Sequence, residues 1–109
     1  MTARVIFPKT LTFRSEEIRR IVAQLPCVCC GVVGYTQAAH MNRDKGMALK
    51  SSDAALAALC SDRPGTRGCH SILDQGGIMD KYERRIFEAE MVVKTYVALV
   101  ERGLLTVAP

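Results

Sequence analysis

Four cysteines fall in two clusters that a single metal ion can join, and this is the strongest constraint on the fold. Cys27 and Cys30 form the first cluster, and Cys60 and Cys69 form the second. The Cys-x-x-Cys spacing lets both thiolates reach one tetrahedral zinc ion at roughly 2.3 Å. Eight residues separate the second pair, but they include Pro64 and two glycines, which favour a return bend. The spacing therefore predicts a structural zinc (Zn²⁺) site with four cysteine ligands.

The size of the chain makes such a site important for stability. The chain has 109 residues and no tryptophan, and aromatic residues make up 6% of it. One domain of this length buries only about two-thirds of the surface that its unfolded chain exposes. Zinc binding contributes about 10–16 kcal/mol of apparent free energy in small finger peptides. We therefore expect the metal to supply a large share of the folding free energy.

Three other interpretations of the cysteines are open. In the first, some of them are small buried apolar side chains. In the second, Cys27 and Cys30 form a redox pair, although no parallel βαβ pattern surrounds them. In the third, His40 or His70, the only two histidines, replaces one thiolate ligand. Cys29 is left over in the zinc interpretation, and the odd count of five cysteines argues against a disulfide framework.

The charge and the N-terminal residues indicate the class of protein. Residues 1–9 contain no long apolar run, so they do not resemble a signal peptide. No segment approaches the roughly 18 apolar residues that span a bilayer. We therefore expect a cytoplasmic protein with no membrane partner, in a compartment where clustered cysteines bind metal. The net charge of +4 and the pI of about 8.9 suit a polyanionic partner.

Helices are predicted on both sides of the cysteine clusters. After an extended arm or edge strand at 4–13, Ser15 is a suitable N-cap for a helix that must end near Pro26. A final helix is predicted at about 80–101, with Gly103 as its C-cap. Its apolar residues recur every three or four positions, which predicts a stripe that packs against the first helix. The stripe consists of Tyr82, Ile86, Ala89, Val93, Val97 and Val100.

The segment between these helices contains the cysteines. Residues 27–39 predict a zinc knuckle that turns into a short hairpin, and the polar residues 41–52 predict a loop. Residues 53–59 are rich in alanine and leucine, so we expect a short helix that ends at Cys60. Residues 61–68 form an irregular insertion.

The order of these features resembles a known family of nucleases. The residues that carry the resemblance lie within about 26–76: the Cys-x-x-Cys step, Ala39, His40, Gly46, Met47, Lys50, Asp53, Cys69, His70 and Asp74. Together they resemble the zinc-containing branch of the HNH (ββα-metal) endonucleases, and in particular the small prophage-encoded YbcO-like group. The resemblance implies a hairpin and a helix that hold one catalytic divalent ion, such as Mg²⁺, Mn²⁺ or Ni²⁺, over DNA.

The resemblance also implies catalytic roles. His40 would be the general base that takes a proton from the water attacking phosphorus, a role that suits a neutral imidazole. His70 would bind or orient the catalytic ion, which stabilises the developing charge. Asp74 would lie one helical turn after His70 as an oxygen ligand. Asp53 would be a further catalytic candidate.

The sequence departs from the HNH pattern at two positions. Ala39 stands where many HNH sites have a metal-binding acidic residue or histidine. The asparagine of the motif is absent, and Asp53 is the nearest polar candidate. Other roles are therefore open: His40 as a hydrogen-bonded interior histidine, Asp53 as a helix cap, and Asp74 as a turn residue.

Basic residues flank both histidines in the sequence. They would hold a nucleic-acid backbone through salt-sensitive phosphate contacts with little sequence specificity, or else form an ordinary solvated surface. The candidates are Arg43, Lys45, Lys50, Arg63 and Arg67. Arg14, Arg19 and Arg20 alternate with acidic residues, which predicts an exposed helix face.

These observations predict a single α+β domain. A small zinc-stabilised ββα-metal unit at 26–78 would lie between an N-terminal arm and helix at 1–25 and a C-terminal helix at 79–109. The expected function is a metal-dependent DNA endonuclease, monomeric or homodimeric, that processes or recombines phage or prophage DNA in the host cytoplasm. The alternative is a non-catalytic zinc module that binds DNA or a protein partner.

Overall fold

Three helices and one hairpin make up the fold. The computed structural model describes residues 13–41, 52–75, 77, 79–106 and 108, excluding the side chains of residues 74 and 75. The elements are α1 (Glu16–Ala23), β1 (Thr36–His40), β2 (Leu56–Cys60), α2 (Cys69–Gln75) and α3 (Lys81–Glu101). The α+β class and both flanking helices are thus confirmed. No helix in these described ranges is long and apolar enough to cross a membrane.

Two predicted segments cannot be compared with the structure. The arm or edge strand expected at 4–13 lies outside the described residues, apart from Phe13. Most of the loop expected at 41–52, from residue 42 to residue 51, is outside them as well.

The first helix forms as its sequence predicts. The hydroxyl of Ser15 accepts a hydrogen bond from the amide of Ile18 at 3.1 Å and so caps the helix. Glu16 and Glu17 stand in the first turn, where the helix dipole favours negative charge. The C-cap is Gln24, two residues before Pro26.

The hairpin is the centre of the fold. β1 and β2 are antiparallel, with Thr36 opposite Cys60 and His40 opposite Leu56. All five residues of β2 are buried, because the strand has a hydrophobic cluster on each face. One cluster joins β2 to α1 and the C-terminal half of α3, through Val22, Leu25, Leu56, Ala58 and Leu99. The other joins it to α2, the cysteine turn and the middle of α3, through Cys27, Ala39, Ala57, Leu59, Cys60, Leu73 and Met91.

The prediction of a helix at 53–59 is wrong, since this segment contains a turn followed by β2. Alanine and leucine favour helix intrinsically, but a helix this short cannot form without tertiary support. As a strand, the segment pairs with β1 and buries side chains on both faces. A continuous apolar run of this length fits a doubly buried strand as well as a helix, so periodicity does not distinguish them.

The long helix α3 has the predicted extent, with well-formed ends. Asp80 and Glu83 form a reciprocal capping box at its start. Its C-cap is Arg102, one residue before the expected Gly103, which follows with a φ of 71°. That left-handed conformation explains the glycine at this place.

The apolar stripe predicted for the core is on the wrong face of α3. Five of its residues are between 49% and 75% exposed: Tyr82, Ile86, Val93, Val97 and Val100. The buried residues of α3 are instead Glu88, Met91, Thr95 and Leu99. These also recur every three or four positions, but two of them are polar, so the hydrophobic pattern points away from the true contact face.

Thr95 explains why a polar residue occupies that contact face. The carbonyl of Ala58 accepts a hydrogen bond from the amide of Val28 at 2.9 Å. The amide of Ala58 donates to the Thr95 hydroxyl at 2.9 Å, and this hydroxyl donates in turn to the carbonyl of Met91 at 2.7 Å. Thr95 thus supplies a hydrogen-bond partner to the outer edge of a buried strand.

Replacing Thr95 with valine tests the hydrogen bond between the Ala58 amide and the Thr95 hydroxyl. The Thr95→Val variant keeps the side-chain shape but leaves the buried Ala58 amide without its acceptor, so we expect a loss of about 1–3 kcal/mol in the free energy of unfolding. Thr95→Ser retains the hydroxyl and should lose clearly less. Urea unfolding of the three proteins measures the difference. Equal stabilities for the valine and serine variants would contradict the role given to the hydroxyl.

Candidate metal centre and histidine–aspartate cluster

The four cysteines predicted as ligands lie together. The sulfur atoms of Cys27, Cys30, Cys60 and Cys69 are all within 4.8 Å of one another, and those of Cys30 and Cys60 are 3.7 Å apart. Four sulfurs around a tetrahedral zinc ion at 2.3 Å would be separated by about 3.8 Å. The cluster could therefore hold zinc. All five cysteines are free thiols, and the exposed Cys29 is outside the group of four.

The first two sulfurs are positioned by a tight turn after α1. The amide of Cys27 donates to the carbonyl of Val32 at 2.9 Å, and the amide of Gly31 donates to the carbonyl of Cys27 at 2.8 Å. The amide of Cys30 points toward the Cys27 sulfur at 3.5 Å. Gly31 has a φ of 84°, a conformation that glycine adopts without strain. The turn therefore brings both thiols to one side.

The other two sulfurs stand at the ends of neighbouring elements. Cys60 is the last residue of β2, Cys69 is the first residue of α2, and the amide of Cys69 donates to the Cys60 sulfur at 3.2 Å. Gly68 closes the intervening bend, because a Cβ atom there would lie 2.3 Å from the carbonyl oxygen of Cys60. Its amide donates to the Asp62 carboxylate at 2.7 Å. Only glycine fits this close approach.

The thiols influence one another's ionisation. Burial and the neighbouring sulfurs raise the pKa of Cys69. Burial also raises the pKa of Cys60, but the Cys69 amide, Arg63 and the adjacent thiols outweigh it and bring this pKa to about 7. Four thiolates this close repel one another unless a cation neutralises them. A divalent metal ion is the natural counter-charge.

Asp53 is the centre of a second polar cluster, at the end of the hairpin where residues 41–55 connect the two strands. Its side chain is fully buried, and His40, the last residue of β1, bonds through Nε2 to Oδ1 at 2.6 Å. The amide of Ser15 donates to Oδ2 at 2.8 Å. The guanidinium of Arg19 also contacts Oδ2, and that of Arg14 lies 3.4 Å from Oδ1.

These contacts correct two expectations from the sequence. Asp53 caps no helix at its own position, because none begins there; it accepts hydrogen bonds from α1 and its N-cap instead. Arg14 and Arg19 do not belong to a simple solvated face, since both turn toward Asp53. Only Arg20 fits that expectation, in an exposed ion pair with Glu16 at 2.7 Å.

The surroundings of Asp53 keep it ionised. Burial raises the pKa of its carboxyl. Hydrogen bonds from the Ser15 amide, His40 and Arg19 lower this pKa by more than burial raises it, and the resulting pKa is about 2. A neutral His40 that donates from Nε2 to this carboxylate keeps the lone pair of Nδ1 available to accept a proton. The His40 side chain is 29% exposed. The cluster therefore has the composition of an oriented imidazole base.

His70 is on the other face of the hairpin. It is the second residue of α2, and its Nδ1 hydrogen-bonds to Oε1 of Gln37 at 2.9 Å. Gln37 and His40 are three residues apart on β1, so their side chains project to opposite faces. The structure therefore does not bring the two histidines to one point.

The remaining predicted site residues are only partly described. The backbone of Asp74 is in α2 one turn after His70, as predicted, but its side chain lies outside the described residues. Arg43, Lys45 and Lys50 also lie outside them. The Arg63 guanidinium is 5.2 Å from the centre of the Tyr35 ring, and Arg67 donates to the carbonyl of Ser71 at 3.4 Å. Among the side chains that the structure describes, the four cysteines are the only group of three or more ligand residues that could hold a metal ion.

Gly68→Ala tests the cysteine geometry. The added methyl group must displace the Cys60 carbonyl or the bend, so we expect zinc affinity to fall about tenfold or more. Gly77→Ala is the matched control, since no atom of the described residues lies within 4 Å of a Cβ atom there. Competition with a chromophoric chelator measures the affinity. Equal affinities in the two variants would show that the bend does not position the ligands.

The low pKa of Asp53 gives a pH dependence with a definite sign. Its folded-state pKa of about 2 is below the unfolded value of about 3.9. The stability it contributes, on the order of 2 kcal/mol, is therefore fully present above about pH 4 and is lost as the pH falls toward 2.

The difference in unfolding free energy between the wild type and Asp53→Asn, measured at several pH values, tests this dependence. Zinc loss at low pH affects both proteins and largely cancels. The difference should shrink between about pH 4 and pH 2. A difference that stays constant over this range would be inconsistent with a buried, ionised Asp53.

The chain is thus a small α+β domain with a two-stranded antiparallel hairpin and a cluster of four cysteines that could hold zinc. Comparison with protein-family models, with curated proteins and with solved structures gives no significant match to it.

Proposed function

We propose that this protein is a metal-dependent DNA endonuclease of the HNH type, with a structural zinc ion bound by the four cysteines and His40 as the general base. The hydrogen bond between His40 and the buried Asp53 carries the proposal. The order β1, β2, α2 and the position of His40 at the end of β1 support it. The sequence resemblance implies a hairpin and a helix, with the histidine that ends the first strand as the general base. A role in phage or prophage DNA processing is part of the same proposal.

The proton transfer is assigned to His40. Nδ1 accepts a proton from the attacking water while Nε2 donates to Asp53. The imidazolium that forms is stabilised by the Asp53 carboxylate, which three further donors hold in place. His70 has no part in this transfer, since it bonds to Gln37 on the other face of the hairpin.

The metal ions have separate roles. The four cysteines would hold a zinc ion with no position left open for substrate, and such an ion would be structural. A second divalent ion, when bound, supplies Lewis-acid stabilisation of charge on the phosphate and the leaving oxygen. The sequence resemblance names His70 and Asp74 as its ligands, but His70 bonds to Gln37 on the face of the hairpin opposite His40. The ion that would act together with His40 is therefore not assigned to these two residues.

Positive charge beside His40 supports a polyanionic substrate. The side chains of Arg14 and Arg19 are 37% and 38% exposed, although both also contact Asp53. Two guanidinium groups and one carboxylate leave a net charge of +1 next to the imidazole. A phosphodiester backbone would therefore be attracted to this end of the hairpin, beside His40, in a salt-dependent manner.

One observation favours the alternative, a non-catalytic zinc module that binds DNA or a protein partner. Ala39 is only 4% exposed and lies in the apolar cluster with Leu73 of α2 and Met91 of α3. Many HNH sites have a metal ligand at this position. Here the same space between β1 and α2 is apolar.

Cleavage of supercoiled and branched DNA with added Mg²⁺, Mn²⁺ or Ni²⁺ tests the function. We expect divalent-dependent cutting that falls about 10²–10⁴-fold in His40→Ala, because general-base catalysis is worth that much. Asp53→Asn should also lose activity, with a changed pH–rate profile. Arg19→Ala should weaken DNA binding, whereas Arg20→Ala, on the same helix but away from Asp53, is the matched control.

Zinc content and circular dichroism must be unchanged for each comparison to count. Cutting that survives in His40→Ala would remove this residue from the base role. DNA binding without cutting, under every ion tried, would instead establish the binding module.

A further inference from the structure

Helix α3 carries a continuous apolar stripe that nothing in the described part of the chain covers. Its large members lie along one side of the helix and are between 49% and 75% exposed: Tyr82, Ile86, Val93, Val97 and Val100. Ala89, in the same stripe, is exposed as well. A shallow groove of about 490 Å³ lies at the middle of the stripe, lined by Ile86, Ala89, Glu90, Val93 and Lys94. Contiguous apolar surface of this kind is typical of interaction sites, whereas isolated exposed apolar residues are not.

The stripe has the same pattern in both directions from Val93. Ala89 and Val97 are four residues away on either side, and Ile86 and Val100 are seven residues away. A two-fold axis through Val93 would therefore place two antiparallel copies of α3 in register. Val93 would meet Val93, Ala89 would meet Val97, and Ile86 would meet Val100. Such self-complementarity is what a symmetric dimer interface requires.

The charges beside Val93 fit the same arrangement. Glu90 and Lys94 lie along the same edge of the stripe, at about 60° and 100° around the helix from Val93. In the antiparallel pair, Glu90 of one copy and Lys94 of the other are on the same side and differ by about 3 Å along the axis. The two-fold axis generates two such opposite-charge pairs. Their attraction favours this register over one shifted along the helix.

We propose that this face of α3 binds a second copy of the chain, as an antiparallel two-fold dimer centred on Val93. α3 has 21 residues and is therefore about 30 Å long. A contact of that length buries roughly 1,200 Å² in total, at the lower end of specific interfaces. We expect a dissociation constant in the micromolar range. The inference does not depend on the nuclease proposal, since it uses neither His40 nor the cysteines.

Sedimentation equilibrium of the zinc-loaded full chain, from about 1 to 200 µM, tests the dimer. The mass should rise from the monomer value of 12.0 kDa toward twice that value. Val93→Glu places two like charges on the axis and should weaken association at least about 100-fold. Val93 is 62% exposed, so the monomer should fold normally. Lys81→Gln, at the first residue of α3, changes the net charge by the same −1 and is the control.

A charge exchange tests the register. Glu90→Lys alone and Lys94→Glu alone each place like charges across the axis, and each should weaken self-association about tenfold. A mixture of these two variants restores both opposite-charge pairs, so a heterodimer should form. Native mass spectrometry with one variant ¹⁵N-labelled detects it. A change in the stability of the individual helix cannot explain heterodimer formation. Each variant still has two like charges, at positions 90 and 94 of its own helix, when the two are mixed.

Three outcomes would overturn the proposal. The first is a wild type that stays monomeric at about 200 µM, including the case in which another segment of the chain covers the stripe. The second is a dimer that is unchanged by Val93→Glu. The third is a mixture of the two charge variants that forms no heterodimer.

Discussion

Four sulfur atoms within 4.8 Å of one another connect the parts of this fold that the chain separates. Cys27 and Cys30 fix the turn after α1, Cys60 ends β2, and Cys69 begins α2. The same segments also share an apolar cluster that includes Leu59 of β2 and Leu73 of α2. A bound cation would add to this packing, because crowded thiols resist joint ionisation without one. Its contribution would matter in a domain with a modest core.

Asp53 plays a comparable part at the other end of the hairpin. One buried carboxylate accepts hydrogen bonds from the N-cap of α1, from Arg19 and from His40. It therefore fixes α1 against the sheet and orients the imidazole at the same time. Removing Arg19 or His40 would leave the buried Asp53 carboxylate without full compensation of its charge. Stability and the proposed chemistry are thus coupled in this residue.

Local signals in the sequence predict much of the fold, and non-local contacts explain what they miss. Ser15, Pro26 and the capping residues near 80 give the helix ends, and the cysteine spacing gives the ligand set. The β2 strand is not predicted, because its five apolar residues gain their structure from partners far away in sequence. The contacts of Asp53 with Arg14 and Arg19 have no sequence signal, since more than thirty residues intervene. On α3, the buried face includes the polar residues Glu88 and Thr95, so hydrophobic periodicity does not identify it.

The bend between Cys60 and Cys69 explains how an unusually long spacing can serve one metal ion. At its tip, Arg63 and Thr66 exchange backbone hydrogen bonds of 3.0 and 2.9 Å, so Pro64 and Gly65 form a closed turn. At its base, Gly68 lies against the backbone of Cys60. The extra residues thus form a loop whose two ends lie close together. The thiols of Cys60 and Cys69 are therefore as near to each other as they would be in a shorter knuckle. The number of residues between two ligands therefore does not fix the distance between their sulfur atoms. A closed turn of this kind allows the number of residues to change while the sulfur atoms stay close enough to bind one ion.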